Sequence, residues 1–288
     1  MRADLLQETV EVLEEFNFNV LVYLHSCFDI AAQKKELTLL IKVLENIDGF
    51  REEHAEELKK LAASLGACPL IVGEKSKAAN LLNSTIYDRY DIPVITLGSL
   101  QSTLLGAYPE KISSKGRIIA EISGDELRKA REKKNISAEQ LANELKLNRE
   151  SIYLYENDKI RAKYEIARKI ENFLNAHLIN ATKPFQVFHM KEEKHIGLSK
   201  KIALLDFDVS SFQRMNFDLL ASDEKNRVMV KQGAIRNPEK MVQLSDFFNS
   251  FFTVVSDERI KDLPVITKKE MELVSSKKDF LKLVKEKS

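Results

Sequence analysis

Residues 137–157 read SAEQLANELKLNRESIYLYEN, and the spacing within them predicts two short helices joined by a tight turn. Ser137 stands ahead of a run with Leu141, Ala142 and Leu145 on one side. Gln140 lies three residues after Ser137, the spacing of a capping box. Lys146-Leu147 interrupts the run, and Asn148 is placed to cap a second helix over residues 149–156. That helix puts Ile152 and Tyr155 on one face. Two helices that cross steeply over so short a turn need a small residue where they touch, and Ala142 supplies it. Leu141, Ala142, Leu147, Ile152 and Tyr155 are thus the candidate core.

Working outward, no strand signal is evident between Ile122 and Asn175. Gly124-Asp125 precedes a helix carrying Leu127, Ala130 and Arg131, and a further helix is expected over Lys163–Ala176. The pattern in residues 124–176 resembles the Cro/lambda-repressor-type helix-turn-helix family. Two positions depart from the family pattern: Lys146 holds the turn position and Asp158 the position after Tyr-Glu where glycine is usual. Aspartate tolerates the left-handed region better than most residues. The resemblance implies a helix that enters the major groove with its N-terminal half. Arg149, Glu150, Ser151 and Tyr153 are then the candidate base-reading residues. Ser137, Ala138 and Asn148 lie at helix N-termini, which can bind phosphate oxygens. Asn157, Lys159 and Arg161 flank the reading helix. Residues 121–176 hold 12 Lys+Arg and 11 Asp+Glu, so any attraction for phosphate must come from local placement of charge.

Either side of this segment the hydrophobic period changes. FNVLVYL (18–24), CFDIAAQ (27–33), LTLLIKV (37–43), CPLIVG (68–73) and IPVITL (92–97) read as strands, with a turn at Gln33–Glu36. Residues 3–15 and 51–65 have helical period, and Gly66 is placed to end the second. The order α-β-β-β-α-β predicts a mixed sheet with helices against it. From about Leu204 the pattern resumes. Asp29 and Asp218 stand 189 positions apart, as do Lys42 and Lys231, Phe28 and Phe217, and Ala32 and Ala221. DIPVIT (91–96) returns as DLPVIT (262–267). The expected organisation is therefore an α/β plus all-α chain with two copies of an α-β-β-β-α-β unit, residues 1–110 and 196–288, flanking a helical domain at 121–178. Gly, Pro, Ser and Lys clusters mark 106–120 and 177–200 as connectors.

Each copy resembles the PD-(D/E)XK nuclease (restriction-endonuclease-like) fold, with Asp29 and Asp218 on the second strand and Lys42 and Lys231 on the third. In that family a further acid two residues before the lysine helps hold a divalent ion. Here Leu40 and Met229 occupy it. A hard cation needs oxygen ligands, so both copies are expected to be degenerate, with no metal, no cofactor and no catalytic residue. The succession CFDIAA, LLIKVLENID, LKKLAASL, PLIV, DRYDIPVIT, Lys115-Gly116-Arg117 and then the helix-turn-helix resembles archaeal helix-turn-helix transcriptional regulators over nearly the full chain.

The chain's net charge of +1 neither demands nor excludes a polyanionic partner. No apolar run approaches the roughly 18 residues of a membrane span, and the acidic N-terminus lacks the pattern of a signal peptide. Cys27 and Cys68 both sit in apolar stretches, which favours two buried thiols over a disulfide. These features place the protein in the cytoplasm. The expected function is sequence-specific binding of double-stranded DNA by a transcriptional regulator that is not an enzyme, working as a homodimer or as an internal pseudo-dimer. The alternatives are a structure-selective DNA-binding protein or metal-dependent nuclease, and a protein-interaction module without DNA binding.

Overall fold

In the computed structural model, residues 2–114, 116–189, 193–235, 237–258, 260 and 263–287 are described. Lys115, Asp262 and residues 190–192, which fall in stretches quoted above, lie outside them. The chain is mixed α/β with several helices and divides into two compact units. One comprises residues 1–9, 44–49 and 70–185, the other 10–43, 50–69 and 186–288.

The second unit contains two strand systems built in the same way. Asn19–Val22, Ile30–Lys34 and Leu37–Asn46 form an antiparallel meander, with Val20 opposite Ala32 and Ala31 opposite Leu40. Asp208–Ser211, Leu219–Ser222 and Arg227–Gln232 form another, with Val209 opposite Ala221 and Leu220 opposite Met229. These four pairs keep the spacing of 189 seen in the sequence. Parallel strands Phe251–Val255 and Val265–Ile266 complete the second sheet. Both faces of these strands are buried: Ile30, Ala32, Leu39, Leu219, Ala221, Val228 and Val230 on one, Ala31, Leu40, Leu220 and Met229 on the other. The helix Glu52–Leu65 ends as its sequence requires: Gly66 takes φ +65, and Ala67 N–H bonds back to Ala62.

That helix is tied to the loop after Asp208–Ser211. Buried Glu57 accepts the backbone N–H groups of Gln213 (2.7 Å) and Arg214 (3.0 Å). Lys60 donates to the carbonyl of Ser211 and lies over the Phe212 ring, and Ser64 meets Ser210 at 2.9 Å. Nearby, the Tyr23 hydroxyl reaches Met241 of the helix Pro238–Phe247, and Cys27 Sγ lies 3.6 Å from Met215 Sδ. Both cysteines are free and buried, and burial pushes the Cys27 thiol strongly up.

The first unit holds a sheet that sequence reading saw only in part. Its order is Cys68–Lys75, Ile92–Ile95, Thr85–Arg89, Lys111–Ser114, Arg117–Ile122 and Ile179–Asn180, with Ala162–Lys163 also paired to Arg117–Ile122. The stretch 106–120 is thus not a plain connector. Lys111–Ser114 and Arg117–Ile122 form a hairpin with Ile112 opposite Ile119. Strands also occur inside the segment expected to be wholly helical. Among the described residues, no helix is long and apolar enough to cross a membrane.

Replacing Glu57 by alanine removes the buried acceptor for those two amides. A charged hydrogen-bond acceptor of this kind is worth about 1.5–3 kcal/mol. Urea unfolding of Glu57→Ala is expected to show a loss of that size. A change within error of zero would mean that solvent serves the amides equally well.

Candidate nucleic-acid interface

The helix-turn-helix lies wholly in the first unit. Its helices are Gly124–Lys133, Ala138–Leu145, Arg149–Glu156 and Tyr164–Leu174. The capping box forms as its spacing predicts: Ser137 Oγ accepts Gln140 N–H (3.1 Å) and Gln140 Oε1 accepts Ser137 N–H (2.7 Å). Lys146, at the position where glycine is usual, takes φ +55, so the lysine adopts the left-handed turn. Leu147 N–H then bonds to the Ala142 carbonyl at 2.8 Å. The expected side-chain cap at Asn148 does not form; its backbone carbonyl accepts Ser151 N–H instead. The final helix is Tyr164–Leu174 rather than Lys163–Ala176, and Asn175 at φ +50 stops it.

Leu141, Ala142, Ile152 and Tyr155 are buried in one cluster with Leu127, Ala167, Ile170 and Ile179, and half-buried Leu147 packs against it. The sheet takes part directly, because Ala120 and Ile122 of Arg117–Ile122 belong to the same cluster. The opposite side of the second helix is open. Arg149, Glu150 and Tyr153 are exposed and Ser151 is half-buried. Among the described residues Arg149 has no hydrogen bond or ion pair. Lys159 Nζ sits 5.4 Å from the Tyr153 ring centroid, and the Asn157 side chain donates to the Tyr153 carbonyl at 2.7 Å. Ser137 and Asn148 are exposed at the two helix starts, with Ala138 half-buried beside the first. Arg161 is engaged differently: its guanidinium is paired with Glu121.

Three contacts that hold this arrangement were not anticipated. Arg131 Nε and Nη2 bind the Glu156 carboxylate at 2.6 and 3.1 Å, and Arg131 Nη1 also donates to the Ile136 carbonyl. Both side chains are mostly buried, at 13% and 7% exposure. The signal was present, since Arg131 lies four residues after Leu127 and Glu156 four after Ile152, each on the buried stripe. Gly124 is a second such point: a Cβ there would lie 2.6 Å from the carbonyl oxygens of Tyr155 and Glu156. Third, Asp158 adopts φ +53 and its carboxylate accepts Gly124 N–H at 2.9 Å. The departure from glycine at this position therefore supplies an acceptor at a helix start. At the far end, Glu171 accepts the N–H groups of Leu178 and Ile179 (2.7 and 2.9 Å) and an Arg168 donor. Burial pushes its carboxyl up, but these bonds outweigh burial and hold it below the ordinary glutamate value.

In the second unit Asp29 and Asp218 each lie one residue before the strand expected to carry them, and each meets the lysine of the following strand. Lys42 Nζ lies 3.1 Å from Asp29 Oδ1, while Asp29 Oδ2 accepts Val43 N–H at 2.9 Å. Lys231 Nζ lies 2.8 Å from Asp218 Oδ1, while Asp218 Oδ2 accepts Gln232 N–H at 2.6 Å. The backbone agrees as well, with Tyr23 N–H bonded to the Asp29 carbonyl and Phe212 N–H to that of Asp218. Leu40 and Met229 are fully buried. Among the described residues no group of three or more His, Cys, Asp or Glu side chains is placed to hold a metal ion.

Comparison with known proteins adds to this geometry. Residues 2–109 match the PD-(D/E)XK superfamily domain and residues 127–179 the helix-turn-helix model. A protein of Methanothermobacter thermautotrophicus named "Putative HTH-type transcriptional regulatory protein" is 33% identical over 99% of this chain and 96% of its own. Similarly named proteins of Methanocaldococcus jannaschii (99% and 97% covered) and Archaeoglobus fulgidus (100% and 99%) are each 28% identical. No solved structure matches the chain significantly.

Two outcomes follow from the contacts around the helix pair. Gly124→Ala forces a methyl group against two backbone carbonyls, and overpacking of this kind costs about 1–3 kcal/mol. Thermal unfolding of the variant is expected to show that loss, and an unchanged midpoint would mean the helix start can shift freely. The lowered Glu171 carboxyl adds stability that is full above the unfolded glutamate value of about 4.3 and disappears as pH falls through the lower folded value. Glu171→Gln is therefore expected to flatten the acid limb of the stability profile, and parallel profiles would contradict it.

The capped helix pair, its exposed second helix and the full-length likeness agree: the chain belongs to the archaeal family of HTH-type transcriptional regulatory proteins, with a PD-(D/E)XK superfamily domain ahead of its DNA-binding helix-turn-helix.

Proposed function

We propose that the protein is a sequence-specific transcriptional regulator, of the Cro/lambda-repressor type, acting in the cytoplasm on double-stranded DNA. One observation carries this: the helix Arg149–Glu156 buries Ile152 and Tyr155 and leaves Arg149 and Glu150 exposed at its N-terminal half, with Tyr153 exposed just beyond. That half is the part of such a helix that reaches base edges. Arg149 is the direct reader, because arginine can bind guanine through two parallel hydrogen bonds. Tyr153 is held by Lys159 and Asn157, while Ser151, Ser137, Ala138 and Asn148 face phosphates. Arg161 contributes less, since Glu121 already takes its charge.

The domain division is 1–110, 121–178 and 196–288. The outer two segments are duplicated, degenerate nuclease-like units, and the protein is not an enzyme. Their aspartates are occupied by lysine and backbone amide, and the position of the missing acid is an apolar buried one. The contacts of Glu57, Lys60 and Ser64 with 210–214, answered by Tyr23 with Met241, support an internal pseudo-dimer. In such a dimer the same patch of each copy meets the other. A chain paired in this way carries one reading helix, so a palindromic operator would require a second chain.

Gel-shift titration of the full chain with DNA from its own genome tests the reading. Arg149→Ala combined with Tyr153→Ala is expected to reduce specific retention by about fivefold to a hundredfold, as loss of one good base contact costs about 1–3 kcal/mol. Undiminished specific retention would refute the assignment. The same protein incubated with Mg²⁺ or Mn²⁺ and branched, nicked or linear DNA is expected to leave it intact. Cleavage that disappears in Asp29→Ala or Asp218→Ala would replace regulator with nuclease.

A further inference from the structure

The two α/β segments differ sharply in charge. Residues 1–110 hold 10 Lys+Arg against 17 Asp+Glu, whereas residues 196–288 hold 17 against 14. The positive surplus is concentrated at one place, the helix Lys277–Lys287, which carries five lysines and two acids. Its inner face is fixed. Phe280 and Val284 are fully buried, and the Phe280 ring meets Phe207 edge-on at 5.7 Å.

The lysines lie outside. Lys278, Lys282 and Lys285 are exposed at spacings of four and three, which puts them in one row along the helix. They line a shallow groove with Lys277, Asn226 and Asp223. Local acids neutralise little of the row. Lys278 has no hydrogen-bond or ion-pair partner among the described residues. Lys285 rests over the Phe251 ring at 5.3 Å, a contact that leaves its charge in place. Lys282 meets Glu286 only at 3.7 Å, with both side chains largely exposed. Two acids also line the groove, Glu286 and Asp223, and Asp223 is already held by the Lys225 and Asn226 backbone N–H groups and by Lys277 at 3.5 Å.

We propose that Lys278, Lys282 and Lys285 form a second DNA-binding surface, which grips the phosphate backbone without regard to sequence. This rests on the reading that the chain binds DNA. It answers a deficit noted in the helix-turn-helix domain, whose own charges nearly cancel. Three like charges in a row on a rigid, anchored helix suit the evenly charged edge of a duplex. An unbroken line of phosphates rewards such a row through counterion release. Seven to eight residues of helix, at about 1.5 Å each, span roughly 10–12 Å, enough to reach neighbouring phosphates on one strand.

The test compares the wild-type chain with the triple variant Lys278→Gln, Lys282→Gln, Lys285→Gln. Binding is measured against a random-sequence duplex and a duplex selected for tight binding, over a range of salt concentrations. Circular dichroism checks that the variant is folded, and Lys278→Gln alone serves if it is not. For the triple variant the slope of log affinity against log salt should fall by about 2–3, since each phosphate contact contributes roughly 0.9. Affinity for both duplexes should drop together by roughly tenfold or more, leaving their ratio unchanged. For the single variant the slope should fall by about 1. An unchanged slope, or a loss confined to the selected duplex, overturns the surface while leaving the helix-turn-helix assignment standing. A wild-type chain that binds neither duplex overturns both.

Discussion

Arg131 and Glu156 meet through two charged hydrogen bonds in a place where water hardly enters, and the placing of the exposed helix Arg149–Glu156 depends on them. A buried ion pair is weak evidence of net stability, because removing both charges from water is expensive. Breaking one half is another matter, since the remaining buried charge would lose its main partner, with only Arg128, among the described residues, staying beside Glu156 at 3.7 Å. The pair also adds direction. Glu156 ends the helix that carries Arg149, and Arg131 belongs to Gly124–Lys133, two helices earlier, so the guanidinium fixes one helix end against the other. Gly124 lets those backbones approach, and Asp158 closes the chain just beyond. The outward face of Arg149–Glu156 is thereby held on a rigid support, which the proposed base-reading role would require.

A different use of charge governs the α/β part. In each strand system one aspartate is satisfied by a lysine on the next strand and by the amide that follows that lysine. A carboxylate that is to bind a cation must turn its oxygens to the ion. Here both oxygens serve the protein, in two places and with the same partners. The arrangement has the character of a structural clamp between the second and third strands. The same Asp–Lys contact recurs 189 residues apart in the two systems.

Much of this was legible before the structure. Ser137 and Gln140 form their capping box, the five candidate core positions are buried or half-buried, and Asp29 and Asp218 find Lys42 and Lys231. These are local spacings or strong periodicities. What escaped depends on distant partners. The stretch 106–120 is rich in turn residues, which signal a turn but not that Lys111–Ser114 and Arg117–Ile122 would pair across it. Ala162–Lys163 and Ile179–Asn180 are too short to show a period at all. Asn148 has the chemistry of a cap, yet its carbonyl suffices there. Arg161 has the charge of a phosphate contact, but Glu121, forty residues earlier, lies beside it.

The most direct test of the account is selection of bound sequences from a random duplex pool by the full chain, with Arg149→Ala alongside. A regulator that reads bases through this helix should enrich a short common motif containing guanine, and the variant should relax the preference at the guanine position. Enrichment of no motif, or of the same motif by both proteins, would contradict it.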